Sequence, residues 1–192
     1  AVQALMTIDI GTMLVGVPRE IKDSEYRVGL VPSTVRELTR NGHHVIVESS
    51  AGLGAGIADD DYRAVGAEIV SDADQVFGRG ELIVKRVNDR LIIINNVSME
   101  EYLYSVLPSE MVSSSPFEAL KAQAVIARGI AVFKKWHSPH KRYGYDICSD
   151  QHCQVYAGVG NETPSTTRAV QETRGEALYY EDLLANTLYS SN

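Results

Sequence analysis

A chain of 192 residues with an apolar share of 44% has room for one globular domain or two small ones. Its net charge of −7 lacks the basic footprint of a general nucleic-acid binder, so no nucleic-acid partner is expected. No run is apolar for long enough to span a bilayer, and the opening AVQALMTIDIGTMLVGV, with no basic residue before its apolar part, does not read as a secretory signal.

From Met13 to Lys85 strand-like and helix-like runs alternate. Met13–Val17, His44–Glu48 and Glu81–Lys85 read as strands, with Glu68–Val70 a weaker one. Ser33–Asn41 reads as a helix, with Ser33 as cap, Val35 and Leu38 on one face, and Gly42 as its left-handed stop. A second helix is expected to start at Asp59-Asp60-Asp61, whose acidic groups suit the positive end of the helix dipole better than they suit a metal. The alternation predicts a layered α/β unit with a mostly parallel sheet. Gly52, Gly54 and Gly56 follow a strand and precede a helix, but G-x-G-x-G falls short of the dinucleotide fingerprint and reads as a structural loop.

The stretch MLVGVPREIKDSEYRVGLVPSTVRELTRNGHHVIVESSAGLGAGIADDDYRAVGAEIV resembles the start of alanine dehydrogenase and the related transhydrogenase subunit. The resemblance runs from Met13 to about Lys85. It implies that Arg27 binds the substrate carboxylate, a natural use of a planar two-pronged donor. The family also uses a lysine in a Val-Lys-x-Lys-Glu-Pro segment and a nicotinamide on a separate Rossmann domain. Here Ile83-Val84-Lys85-Arg86 is followed by Val87 in place of the second lysine. No NAD site is therefore expected in this chain.

The sequence changes character near Lys85 to Asn88, giving an expected division into 1–86 and 87–192. No Pro-, Ser- or Gly-rich linker lies there, and Leu91–Asn95 is a further strand-like run, so two expectations stand side by side: the pieces share a sheet or a tight turn, or they are two incomplete parts that pack poorly. Two helices should follow. Ser98 with Glu101, and Ser115 with Glu118, are both capping boxes, and Pro116 suits a first helical position. Between them Pro108 predicts a break, which would leave Glu110 on an irregular connector near the second helix's N-terminus. The helix from Pro116 to about Trp136 carries a stripe of Leu120, Ala124, Ala127 and Ala131, expected to pack into a core. Lys134, Lys135, Lys141 and Arg142, with His137 and His140, form a basic cluster after it, which reads first as complementing the helix C-terminus in solvent and, as the alternative, as a ligand-binding rim. Cys148, His152 and Cys153 offer up to three ligands for tetrahedral zinc, with His140 or His137 as the nearest fourth. A disulfide or two buried thiols are the alternatives.

VSMEEYLYSVLPSEM, PFEALKAQAVIARGIAVF and YDICSDQHCQVYAGVGNETPSTTRAVQETRGEALYY resemble, in order and spacing, the SpoIID/LytB domain, a lytic transglycosylase family of spore formers and other bacteria. The resemblance covers about Val87 to Asn192 and implies a mixed α+β domain. It puts the single catalytic acid at Glu110, zinc at the Cys148–Cys153 segment, and peptidoglycan glycan strands as partner. It also implies an extracytoplasmic or cell-wall setting. Lys134, Lys135, Lys141 and Arg142 would hold the lactyl carboxylates of muramic acid. One carboxylate suffices if the muramic acid C6 hydroxyl is the nucleophile. Glu110 must then be protonated near neutral pH, with Leu107, Met111 and Val112 as apolar neighbours. The family usually has histidine where this chain has Tyr189. Glycan cleavage is the leading functional expectation; a dehydrogenase-type oxidoreductase or its substrate-side fragment, and an inactive fusion, are the alternatives.

Overall fold

Runs of valine and isoleucine build a sheet whose central strands are buried on both faces. A computed structural model describes residues 11–21, 26–87 and 90–187, which divide into two compact units meeting between Asn96 and Val97. In the first, strands β1 (Leu14–Val17), β2 (His44–Glu48) and β3 (Glu68–Val70) alternate with helices α1 (Pro32–Arg40) and α2 (Asp59–Arg63). Helix α3 (Ala73–Arg79) then leads to strands β4 (Leu82–Val87) and β5 (Arg90–Asn95). The sheet order is β3-β2-β1-β4-β5, parallel throughout except for the antiparallel β4–β5 pair. Side chains alternate faces along a strand. Val45 and Val47 therefore join Val15, Val17, Val35 and Tyr62 on one side, while Ile46 joins Val70, Val76 and Ile83 on the other.

The expected strands are all present, and the two sequence pieces do share a sheet. Val87 pairs with Arg90 and Leu82 with Asn95. The first unit thus runs through Asn96, later than the Arg86–Val87 junction read from the sequence. Helix α1 is capped differently from expectation: Val31 is the N-cap and Pro32 the first helical residue, so Ser33 lies inside the first turn. Proline there forfeits no helical bond, which moves the start back. Gly42, at φ +86°, is the left-handed stop as expected. The acidic run begins α2: Asp59 accepts from Ser49 Oγ and the Ser50 N–H at 2.8 Å each, and Asp61 accepts from the Ala58 N–H at 2.8 Å.

The second unit packs α4 (Met99–Glu110), α5 (Phe117–Trp136) and α6 (Pro164–Glu172) around one core, with a small hairpin of β6 (Tyr179–Tyr180) and β7 (Leu183–Leu184). The stripe Leu120, Ala124, Ala127 and Ala131 is buried in that core with Leu103, Val106, Leu107, Ala169 and Val170. Small residues let helices approach closely, which is why the stripe lies where three helices meet. The chain is therefore an α/β unit followed by a mixed, mainly helical α+β unit. Among the described residues no helix is long and apolar enough to cross a membrane.

Only one of the two expected capping boxes forms. Ser98 Oγ accepts from the Glu101 N–H at 3.3 Å, and the Glu101 carboxylate accepts from the Ser98 N–H at 3.2 Å. Ser115 makes no cap bond to α5; Pro116 is the N-cap, and Glu118 pairs with Lys121 at 3.3 Å. Because Pro116 takes the cap position, Ser115 is one residue too early to reach the helix N–H groups.

These caps differ in measurable ways. Ser98→Ala should cost about 1 kcal/mol in chemical denaturation, and Ser115→Ala less than about 0.5 kcal/mol. The Ser98 hydroxyl and then its backbone N–H hold the Glu101 carboxyl below the ordinary carboxylate range. A depressed pKa stabilises above the unfolded value, and that contribution is lost as pH falls through the folded one. The Ser98→Ala penalty should therefore shrink below about pH 4.

Candidate functional site

At the carboxyl ends of β1 and β2 the first unit opens a polar cleft. Arg19, Glu20, Tyr26 and Arg27 line it from the segment after β1, and Ser50, Ala51 and Gly54 from the loop after β2. Ligands of open α/β sheets bind outside the carboxyl ends of the strands. The buried Glu48 carboxylate accepts from the Arg19 N–H at 2.8 Å, which fixes the start of the Arg19 segment. The glycine loop beside it serves packing: a Cβ on Gly52 would stand 2.8 Å from the Tyr62 ring, and one on Gly54 2.9 Å from the Tyr26 Cα. Arg27 is thus placed at a cleft. On β4, Lys85 is buried and Val87 lies on the same strand face two residues on.

Glu110 is not on an irregular connector. Helix α4 continues through Pro108, and Glu110 is its last residue, half-buried, with Met111 as C-cap. The reading failed because it took local cost for a break: Pro108 loses its N–H bond to the Tyr104 carbonyl and crowds that carbonyl, but bonds made around it carry the helix on. The Met111 N–H still donates to Leu107 O at 3.0 Å. The turn is also held from outside, by Asn161 Nδ2 donating to Ser105 O at 3.1 Å and to Ser109 Oγ at 2.8 Å. Leu107 is fully buried and Met111 packs on the core, but Val112 stands 70% exposed and shields nothing.

The second site gathers His140, Cys148, His152 and Cys153, whose ligand atoms lie within 4.8 Å of one another. His140 Nε2 and His152 Nδ1 are 3.3 Å apart. The sulfur to nitrogen distances are 3.6 Å for Cys148–His152, 3.5 Å for Cys153–His140 and 3.4 Å for Cys153–His152. Zinc bonds of about 2.05 Å to nitrogen and about 2.3 Å to sulfur give tetrahedral edges of about 3.3 Å and about 3.6 Å. The donor set therefore suits that ion in chemistry, and these four distances lie close to its tetrahedral edges. His137 is engaged elsewhere, its ring stacked on Phe133, so of the two histidines offered as fourth ligand it is His140 that joins the cluster. Both cysteines are free thiols.

Electrostatics follow from the packing. Burial, then the hydrogen bond to Asp150, pushes the Cys148 thiol up to about 11. Burial and the neighbouring His152 lower His140. Asp150, which sequence reasoning missed, accepts from the Cys148 thiol at 3.2 Å and from the His152 N–H at 2.8 Å, and those bonds hold its carboxyl low. Its place between two ligands of one short loop was the available signal. Tyr145 stacks on the His140 ring at 4.9 Å.

The basic residues have local duties. Lys134 Nζ donates to His152 O at 3.0 Å, and Lys135 lies 3.8 Å from Asp146. Lys141 Nζ donates to Trp136 O near the end of α5 at 3.4 Å, and Arg142 covers the Tyr143 ring. Tyr189 lies outside the described residues.

These features define an α/β unit with a polar cleft, followed by a helical unit with a Cys/His cluster. The family model "Alanine dehydrogenase/PNT, N-terminal domain" matches residues 16–129, and the chain belongs to that family. The SpoIID model, "Stage II sporulation protein", matches residues 87–180, so a SpoIID domain is present as well. The alanine dehydrogenase of Mycolicibacterium smegmatis is 56% identical over 73 residues, 38% of this chain and 20% of that protein. That of Bacillus subtilis is 42% identical over 92 residues, 48% of this chain and 22% of the relative. The chain thus spans about a fifth of the length of these relatives. A solved L-alanine dehydrogenase overlaps 84% of this chain and 51% of its own at 25% identity, with a TM-score of 0.38, too loose to carry an argument. The comparisons weigh toward the dehydrogenase-type reading, whereas the sequence led with glycan cleavage.

Proposed function

We propose that the first unit binds a small carboxylate at Arg27, as the substrate side of an alanine dehydrogenase-type oxidoreductase. The supporting observation is the family match over residues 16–129 together with the place of Arg27 at the cleft beyond β1 and β2. A planar guanidinium takes a carboxylate on two parallel N–H bonds, and Arg19 adds a second cation at the same cleft. The ligand is alanine or its 2-oxo acid, pyruvate. A nicotinamide supplies the hydride chemistry of such enzymes; the residues of this chain bind and orient the carboxylate. Calorimetric titration with pyruvate and with alanine should show binding, weakened roughly 10- to 100-fold in Arg27→Ala. Equal affinity in the variant, or no binding by the wild type, would remove the reading.

A second reading, glycan cleavage by the second unit, is favoured by the SpoIID match and by Glu110 at the end of α4. Glu110 gives its proton to the glycosidic oxygen as the bond to C1 of the muramoyl residue breaks. The C6 hydroxyl of that residue attacks C1, and its proton passes to the Glu110 carboxylate. The products are a 1,6-anhydro end and a shortened strand. Mass spectrometry of peptide-free glycan strands should show anhydro ends with the wild type and none with Glu110→Gln. Reducing ends would instead point to hydrolysis and a second carboxylate.

His140, Cys148, His152 and Cys153 would hold zinc in the same unit. Four protein ligands leave no open position, so its part is to cross-link the 148–153 loop to the segment after α5. Protein purified without chelator should carry about one zinc per chain, lost in Cys148→Ser, by elemental analysis. A Cys148–Cys153 disulfide in the purified chain would contradict this.

A further inference from the structure

We propose that Asn161 is a positioning residue for Glu110. Pro108 has no N–H for the Tyr104 carbonyl, and its ring crowds that carbonyl, so a helix would ordinarily end there. Helix α4 nevertheless runs on to Glu110. What holds the extra turn comes from a distant segment, the 3₁₀ turn Val159–Asn161. Asn161 Nδ2 donates to Ser105 O at 3.1 Å and to Ser109 Oγ at 2.8 Å, and Ser109 Oγ itself donates to Ser105 O at 3.1 Å. The Ala157 N–H adds a bond to Ser105 Oγ at 3.1 Å. Ser105 is fully buried, so this clamp grips the helix on both sides of Pro108. Glu110 is the residue after Ser109, and its backbone is fixed as far as the clamp holds.

The kinetic consequence rests on the glycan-cleaving reading; the structural one does not. A carboxyl group that must face first the glycosidic oxygen and then the C6 hydroxyl loses rate with small displacements. Asn161→Ala removes the two bonds that Asn161 gives to the clamp, and Asn161→Asp keeps its size but removes both donors.

The test combines amide hydrogen exchange by NMR with glycan turnover for the full chain and both variants. The Met111 amide, bonded to Leu107 O, should exchange about tenfold faster in both variants, while the Leu103 and Val106 amides and the melting temperature stay as in the wild type. Glycan turnover should fall about tenfold or more in kcat with KM unchanged. Unchanged Met111 exchange, wild-type behaviour in Asn161→Asp, or faster exchange along the whole of α4 would overturn the proposal. If the wild type cleaves no glycan, the glycan-cleavage reading fails by itself and the exchange result alone decides the role of Asn161.

Discussion

A buried guanidinium holds the second unit together. Arg128, in the middle of α5, donates to both oxygens of Glu100 at 3.1 and 2.7 Å, to Glu176 O at 2.9 Å and to Val170 O at 3.3 Å. Glu100 also accepts from the Gly175 N–H at 3.3 Å. The side chains of the pair are 4% and 16% exposed. One pair thus joins the first turn of α4, the centre of α5 and the chain leaving α6. Removing either partner leaves a buried charge, which costs about 3–5 kcal/mol. The pair is worth keeping only because almost every polar group around it is matched, and that fixes how the three helices meet. Both candidate sites of this unit hang on those helices: Glu110 ends α4, and His140 follows α5.

The first unit obeys a different constraint. The centre of its sheet is buried on both faces, so β2 must offer Val45 and Val47 to one layer and Ile46 to the other. Such strands leave only the ends of the sheet for chemistry. The polar cleft duly sits at the carboxyl ends, with Arg27 beside it and a glycine loop pressed against Tyr26 and Tyr62. The stretch that resembles alanine dehydrogenase is the one that builds this end.

What was legible in the sequence was what local chemistry dictates. Branched aliphatic runs gave the strands, Gly42 the helix stop, Ser98 with Glu101 a cap, and the alanine stripe the core face of α5. The Cys/His set was legible because its ligands are close in sequence, and His140 because it is the nearest further donor that the fold leaves available. Glu110 was expected on a connector and lies instead at the end of α4. Proline read locally means a break, whereas Asn161, 52 residues from Ser109, supplies the bonds that carry the helix past it. Ser115 was misread for a smaller reason: Pro116 competes for the same cap position. Arg128 could have been suspected, since a charged residue between Ala127 and Gly129 on a core-facing helix needs a buried partner, but nothing local identifies Glu100 as that partner.

The chain divides into two units, with the polar cleft lined by Arg27 before Asn96 and the Cys/His cluster and Glu110 after it. The most direct measurement is hydrogen exchange by mass spectrometry, with pyruvate or with zinc added to metal-stripped protein. A ligand that binds the folded state protects the elements that form its site. Pyruvate should slow exchange around β1, β2 and the 50–56 loop, and zinc around 140–153, with neither altering the other's segments. Protection by pyruvate confined to residues after Asn96, or zinc protection that leaves 140–153 unchanged, would contradict it.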